Sequence, residues 1–393
     1  MEPEEFNGKL GRVTQASKAS YYTFEPNTLP LQIIYDEEMI KLLAEAVASI
    51  SNLSSAGKRL RNPSLLIAPY LKKEAVLSSE IEGTRTSLSE VLLDEKEKSK
   101  SEDDDLKEVN NYIHALNTGL KEIKELPISE ELIKKLHKIL LKSVRGEDKE
   151  PGKYKTHQNH IGNSIDIFEA KFVPASPETT PKLMENLIDY MNNSRKSTEL
   201  IKAGIMHYQF ETIHPFRDGN GRMGRLLISL FFCKSNILSQ PLLYLSAYFK
   251  KHQREYNERL FNVSSRGEIE NWLKFFLKAI KAQADEALDR TSQLESYYEE
   301  SRRILEKNSN STNALLVLDH LFFNPFIKIT EIEEILDCLH PTAKNNLKIL
   351  IKNNILKDYT PKRNRDKIFY CPKISEILEL GNNITLEIKK VKS

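Results

Sequence analysis

The chain has 393 residues, 39% of them hydrophobic and 29% charged, with a formal net charge of +2. This is enough chain for two or three domains with cores of their own, and too apolar and too neutral for a disordered protein. The near-zero charge excludes a global electrostatic pull toward nucleic acid or membrane, so any such binding must come from a local patch. The three cysteines, Cys233, Cys338 and Cys371, lie far apart, without a CxxC pair or zinc spacing. The first residues lack a basic and apolar leader pattern, and no run of eighteen apolar residues occurs. These features predict a cytoplasmic protein without a membrane segment.

Residues 1–35 contain Pro3, Pro26 and Pro30 with little periodicity and read as a mostly extended arm. Apolar residues then recur at helical spacing over 36–50 (Met39, Ile40, Leu42, Leu43, Ala46, Val47), which predicts a helix. A second helix is expected to begin near Pro69 and to stop at Gly83, with Tyr70, Ala75, Val76 and Ile81 on its apolar side. Just before that stop stands Ser78-Ser79-Glu80-Ile81-Glu82-Gly83. Residues 94–105, DEKEKSKSEDDD, have no apolar anchors and read as a solvated loop. Helices follow over 106–123, 130–143 and 177–192. Between the last two, residues 151–174 mix turn formers (Asn159, Gly162, Asn163) with strand formers (Ile161, Ile165, Ile167, Phe168), so a hairpin or flap is expected. His157 and His160 have no further ligand nearby and read as solvent-facing flap residues rather than a metal pair.

The densest chemistry lies in 204–227, GIMHYQFETIHPFRDGNGRMGRLL. Its first half has the apolar spacing of a buried helix, and Pro215 ends that helix at His214 by disfavouring helical dihedrals there. Asp218-Gly219-Asn220-Gly221 is a run of turn formers, and a helical pattern resumes at Arg222. A glycine-rich loop opening a helix presents free backbone N–H groups and the positive end of the helix dipole, a combination that binds phosphate. Arg222 and Arg225, one turn apart, can reach the same anion. Asp218 beside phosphate calls for a cation, and Mg²⁺ prefers a carboxylate plus phosphate oxygens. His214 is the side chain best placed to take a proton near neutral pH. Together these residues suggest a nucleoside triphosphate with Mg²⁺ and a base for an incoming nucleophile.

His214-Pro215-Phe216-Arg217-Asp218-Gly219-Asn220-Gly221-Arg222-Met223-Gly224-Arg225 resembles in full the signature HxFx(D/E)GNGRxxR of the Fic family, whose members typically transfer AMP from ATP to a hydroxyl of a target protein. The resemblance implies His214 as base, Asp218 as Mg²⁺ ligand, and Gly219, Asn220, Gly221, Arg222, Met223, Gly224 and Arg225 as the ATP-binding loop, with the Asn220 side chain helping to cradle the departing charge. It extends to Ser78, Glu82 and Gly83, which match the family's inhibitory motif (S/T)xxxE(G/N). There the glutamate pairs with the second arginine, here Arg225, in place of the γ-phosphate. Both are anions that compete for one guanidinium. The 151–174 segment corresponds to the family's flap, which receives the target as an added strand. It departs from the expected GxxRxxQxWIG, with Lys155 for arginine and His160 for tryptophan.

Helices are expected over 241–260 and 268–288, where REYNERL around Tyr256 and the solitary Trp272 recur in relatives of the family; Tyr256 is taken as a nucleotide contact flanking adenine. The polar stretch 289–311 reads as a linker. Beyond it, helical patterns over 314–322, 330–339 and 341–353 precede two short strands, 355–358 and 367–371, around a basic turn. This resembles a winged helix whose Thr342, Lys344, Asn345, Lys348, Lys362, Arg363 and Arg365 could face DNA. DNA contact through residues 341–367 and a protein-interaction or homo-oligomer role both stay open.

The expected fold is therefore mainly α: an N-terminal helical region with an inhibitory helix (1–105), a Fic-type core with a small β-hairpin flap (106–288), the linker (289–311), and a winged helix-turn-helix domain (312–393). The expected function is a self-inhibited protein adenylyltransferase using ATP and Mg²⁺ on a Ser, Thr or Tyr hydroxyl. A DNA-binding regulator on a Fic scaffold and an enzyme that also removes AMP are the alternatives.

Overall fold

The structure, a computed structural model, describes residues 1–16, 21–59, 63–97, 103–162, 166–193, 197–309 and 312–378. It is mainly helical with small antiparallel sheets, in line with the patterning. The N-terminal segment is not simply extended. β1 (Gly11–Gln15) pairs antiparallel with β2 (Tyr22–Pro26), Gly11 opposite Pro26 and Gln15 opposite Tyr22. Successive residues Thr23, Phe24 and Glu25 of β2 are all buried, so no alternating pattern marks the strand.

The helices α1 (Glu37–Arg59), α2 (Pro63–Ile81), α3 (Leu88–Glu97) and α4 (Asp104–Glu122) follow. Pro69 does not open α2 but lies inside it. An internal proline removes a helical hydrogen bond, and burial of α2 among α4, α9 and α12 outweighs that loss. Of the expected solvated loop, residues 94–97 are the last turn of α3 and 98–102 lie outside the described residues. Asp103 caps α4 by accepting from the Asp105 N–H at 3.0 Å, and Ser129 caps α5 (Glu130–Leu140) by accepting from the Leu132 N–H at 3.2 Å.

Among the described residues the expected flap hairpin reduces to one antiparallel bridge between Ile161 and Phe172, with a 3-10 turn at Ile167–Glu169. Asn163 and Ile165 lie outside the described residues. After α6 (Thr180–Asn193) comes α7 (Glu199–Ile213), in which every residue from Leu200 to Phe210 is buried. A helix apolar all round belongs at the centre of a core, and α8 (Asn220–Lys234) packs directly on it. The stretch expected as one helix over 241–260 is two: α9 (Ser246–Lys251) and α10 (Gln253–Arg266).

Residues 289–309, expected as part of a linker, instead continue α11 (Ile269–Ser309), a helix of 41 residues and about 60 Å. Its buried positions past Leu288 are Arg290, Thr291, Leu294, Ser301 and Leu305, a stripe too polar and sparse to read as helix from sequence. Residues 310–311 lie outside the described residues. The C-terminal unit contains α12 (Thr312–Phe323), β3 (Phe326–Lys328), α13 (Ile329–Leu336), α14 (His340–Lys352), β4 (Lys357–Asp358), β5 (Ile368–Tyr370) and α15 (Pro372–Ile377), with an antiparallel sheet in the order β3-β5-β4. β3 and α15 are additions to the expected elements. This unit is docked rather than tethered: α12 packs on α2, β3 packs on α3, and Asn324 donates to Leu92 O at 2.9 Å and to Glu95 Oε2 at 2.8 Å.

Candidate active site

His214 ends α7 in the left-handed conformation (φ 50°, ψ 59°), and its N–H closes the helix on Phe210 O at 2.9 Å. Its Nδ1 lies 3.2 Å from Glu211 O. A carbonyl only accepts, so Nδ1 carries the proton and Nε2 keeps the free lone pair. Burial, and then the Lys155 ammonium, push the imidazole down to about 4, so it is the neutral, proton-accepting form at physiological pH.

The loop returns through Asp218 and Gly219 to α8. Gly219 adopts φ +73° at the N-cap, a conformation open to glycine at little cost. The Asn220 side chain accepts from Phe216 N at 2.9 Å and donates to Phe216 O at 2.7 Å, closing the loop on itself. Below the loop, His137 of α5 stacks on Phe216 with ring centroids 3.7 Å apart. Its Nδ1 accepts from Gly152 N at 2.9 Å, which fixes Nε2–H as donor to Asp218 O, also at 2.9 Å. Burial holds His137 near 4 and hence neutral.

Arg225 emerges one turn into α8. Its Nε donates to Ser78 Oγ, its Nη2 to Ser78 O, both at 2.9 Å, and Nη2 reaches Glu82 Oε1 at 2.7 Å. A Cβ built on Gly221 would stand 2.2 Å from Glu82 Oε1. The Glu82 carboxylate thus lies against the first turn of α8, the place that sequence assigns to phosphate. Desolvation raises its pKa, but Arg225, Arg222 and His214 outweigh that and hold it below the usual glutamate value. Arg222 turns to α4, where its Nη1 meets Glu108 Oε2 at 2.8 Å, both side chains buried. Thr84, just past Gly83, donates to the same Glu108 oxygen at 3.1 Å.

Residues 40–121 match the Fic/DOC family N-terminal model and residues 127–232 match the Fic/DOC family model. The chain carries a Fic N-terminal domain and a Fic domain. A probable protein adenylyltransferase of Aquifex aeolicus is 30% identical over 173 residues, 43% of this chain and 49% of that protein. Protein adenylyltransferase fic-1 of Caenorhabditis briggsae is 25% identical over 265 residues, 65% of this chain and 48% of that protein. The chain thus spans about half the length of these curated relatives. The crystal structure of a Fic family protein from Desulfovibrio desulfuricans superposes with a TM-score of 0.57 at 20% identity, covering 87% of this chain and 98% of that one, a likeness of fold.

Within this Fic fold the expected site residues His214, Asp218, Gly219, Gly221, Arg222, Gly224 and Arg225 share the α7–α8 turn, and Ser78 and Glu82 come to it from the end of α2. Met223 is fully buried in the core and offers the site only its backbone. Two expectations change. The Asn220 side chain is spent on Phe216 and is 2% exposed, so it shapes the loop rather than cradling charge. Tyr256 does not line an open cleft: it is 3% exposed, its hydroxyl meets His207 Nε2 at 2.8 Å, and its ring stacks on Phe249 at 4.6 Å. Trp272 is buried beside it and donates to Gly204 O at 2.9 Å. An aromatic cluster behind α7 was the more economical use for both rings.

Three residues of the site escaped the sequence reading, Glu108, His137 and Glu211, and Asn159 figures there only as a turn former. The first two sit on the apolar stripes of their helices, Glu108 among Leu106, Val109 and Tyr112, and His137 among Ile133, Leu136 and Leu140. A polar side chain inside such a stripe is the signal that could have found them. Glu211 Oε1 is buried without a partner where a Cβ on Gly224 would stand 2.3 Å away, and burial raises this carboxyl to about 7.

Asp218 Oδ1 accepts from Gly219 N at 2.6 Å, and Oδ2 faces the Gly146 backbone, leaving a carboxylate oxygen for a cation. Among the described residues no group of three or more His, Cys, Asp or Glu could hold a metal. One carboxylate is a fitting share of a Mg²⁺ shell completed by phosphate oxygens and water.

Proposed function

We propose that this chain is a self-inhibited protein adenylyltransferase, transferring AMP from ATP to a hydroxyl of a target protein or of itself. The observation that carries the reading is the Glu82 carboxylate on Arg225 and against Gly221, where an anion already takes the position a triphosphate would need. The kinship with named protein adenylyltransferases supports the reaction class.

In this reading the target hydroxyl gives its proton to His214 Nε2 as its oxygen forms a bond to the α-phosphorus. The bond from that phosphorus to the bridging oxygen breaks, and pyrophosphate leaves in line. The N–H groups at the start of α8 and the Arg225 guanidinium stabilise the charge that develops on the departing phosphates. Arg222 contributes an unspent donor, its buried Nε, while Glu108 holds its other end. Asp218 would hold Mg²⁺, which when bound neutralises charge on the α- and β-phosphates.

Ser78 and Gly83 complete the inhibitory device, the first by fixing Arg225 and the second by ending the helix at Glu82. The three described cysteines are free, and no helix among the described residues is long and apolar enough to cross a membrane. Both suit a cytoplasmic setting.

Labelled-ATP transfer by wild type, Glu82→Gly and His214→Ala tests the proposal. Glu82→Gly is expected to label itself strongly and the other two weakly. No transfer by Glu82→Gly in the presence of Mg²⁺ would refute it.

A second reading concerns the C-terminal unit. Its exposed α14 face carries Thr342, Lys344, Asn345, Lys348 and Lys352 without an acidic residue, and exposed Lys362, Arg363 and Arg365 follow between β4 and β5. With the β3-β5-β4 sheet this favours a winged helix able to meet a phosphate backbone. Salt-dependent binding of duplex DNA by the full chain, lost in Lys344→Glu/Lys348→Glu, is the check.

A further inference from the structure

Where α7 gives way to the loop, four consecutive carbonyls, Ile213 to Phe216, have no place in a helical ladder. All four are taken, and two residues of the flap stem reach every one. Lys155 Nζ donates to Ile213 O at 3.0 Å, and the Lys155 N–H donates to Pro215 O at 2.8 Å. Asn159 Nδ2 donates to His214 O at 3.1 Å and to Phe216 O at 2.7 Å, the latter shared with Asn220. Lys155 Nζ also donates to Asn159 Oδ1 at 2.9 Å, so the two side chains brace one another. Lys155 is 3% exposed, so this is a built interior contact rather than a surface one.

We propose that Lys155 and Asn159 are positioning residues for His214: Asn159 holds the base in its left-handed turn, and Lys155 braces Asn159 and the end of α7 with its amine beside the imidazole. This rests on the reading of His214 as the proton acceptor in AMP transfer. A left-handed histidine is strained and needs neighbours that over-determine it. The Lys155 amine sits at the negative end of the α7 dipole, where a cation is favoured, while its burial pushes it down to about 7.

Several charged groups surround the ring. From the flap stem Lys155 opposes the imidazolium; from the end of α2 Glu82 favours it. From α7 itself Glu211 accepts the Nδ1 proton through its backbone, its carboxyl lying against Gly224; Arg217 and Asp218 follow in the loop. Burial is the larger cause of the low His214 midpoint and Lys155 the next; burial also pushes the Lys155 amine down to about 7, so its charge opposes the imidazolium fully only below that pH. The stem that holds the base is the start of the segment that continues to the Ile161–Phe172 bridge. A hydroxyl brought in along that edge therefore arrives in fixed register with His214 Nε2.

The test uses the full chain with ¹³Cε1-labelled histidine, the His214 signal being assigned by its loss in His214→Ala. Lys155→Gln keeps a donor for Ile213 O without the charge. Its His214 midpoint is expected to rise by about one unit, as for removal of a nearby like charge, and to stay near the parent value in Lys155→Arg. In the Glu82→Gly background, Asn159→Ala is expected to lower the kcat of AMP transfer at least tenfold with the KM for ATP within twofold. Lys155→Gln is expected to carry the acid limb of the pH profile upward by the same shift as the titration. Should Lys155→Gln not fold, Lys155→Met is titrated in its place. An unmoved His214 midpoint, or an Asn159→Ala kcat within twofold of its parent, overturns the proposal. If Glu82→Gly itself transfers no AMP, the transfer reading falls, and the titration alone still decides the role of Lys155.

Discussion

Glu82 Oε1 and Arg225 Nη2 meet at 2.7 Å across 143 positions of sequence. The contact ties the last turn of one helix to the first turn of another, and the anion it supplies is the chain's own. With Ser78 taking the Nε–H and a second Nη2 bond, the Arg225 guanidinium is held by the chain itself.

Removing that carboxylate has two opposed effects. Glu82→Gly is expected to raise self-labelling with ATP more than tenfold, because Arg225 and the α8 N–H groups become available together. It is also expected to lower stability, since a buried guanidinium loses a charged hydrogen-bond partner worth roughly 1.5–3 kcal/mol. Thermal unfolding with and without ATP checks both: the variant melts lower alone and gains more from ATP than wild type does.

His214→Ala is expected to abolish transfer in the Glu82→Gly background by at least a hundredfold, the lower end of general-base contributions. Triphosphate binding should persist, because the Arg225 and α8 contacts do not involve the imidazole. An ATP-dependent melting shift that survives while labelling vanishes is the expected outcome.

Glu74 makes stability depend on pH. It is buried on α2 and accepts from Ser246 Oγ at 2.5 Å and Tyr112 Oη at 3.3 Å, yet desolvation raises it to about 7. The native state therefore holds this proton more tightly than the unfolded chain does. The stabilisation is complete below about pH 4.5 and is lost as pH rises through 7. Glu74→Gln should remove a slope of up to roughly 3 kcal/mol between those limits. His137, His207 and His214 act in the other direction, being held near 4, 3 and 4 by burial, so they cost stability as pH falls below about 6.5. Denaturant midpoints of wild type minus Glu74→Gln across pH 5–8 isolate the glutamate.

The C-terminal unit is expected to be stapled to α3 by Lys96 and Glu331, 2.6 Å apart with the lysine side chain 4% exposed. Glu331→Ala strands a buried ammonium and should cost about 3–5 kcal/mol, the usual penalty for half of a buried pair. Lys96→Met/Glu331→Met should restore most of that loss. A double variant no more stable than Glu331→Ala would remove this account.

Much of the α7–α8 turn was legible because its residues are neighbours: His214, Pro215, Asp218 and the glycines carry their conformations in their own chemistry. Partners were less legible the farther they lay in sequence. Nothing near Arg222 names Glu108, and nothing near Asp218 names His137; each is found only as a polar residue in an apolar stripe. Tertiary burial also overrode local signals. Pro69 was absorbed into α2, and the polar run after Leu288 stayed helical because Leu294 and Leu305 found cover. The hairpin at β1 and β2 left no alternation to read because β2 is buried on successive residues.

One further consequence follows from how α2 is held. Along its length it is enclosed by α4, α8, α9 and α12, and its final carbonyls, Glu80 O and Ile81 O, are gripped by Lys250 at 2.8 Å and Gln253 at 3.1 Å. Gly83, at φ +100°, has open space on the side where a Cβ would point. The helix is therefore a pawl and not a piston: beyond those two grips only the Glu82 side chain and the Gly83 turn are left to lift. A carboxylate held by about 2 kcal/mol stands away from its partner a few per cent of the time, which on the proposed reading frees the site for a nucleotide without any domain having to move.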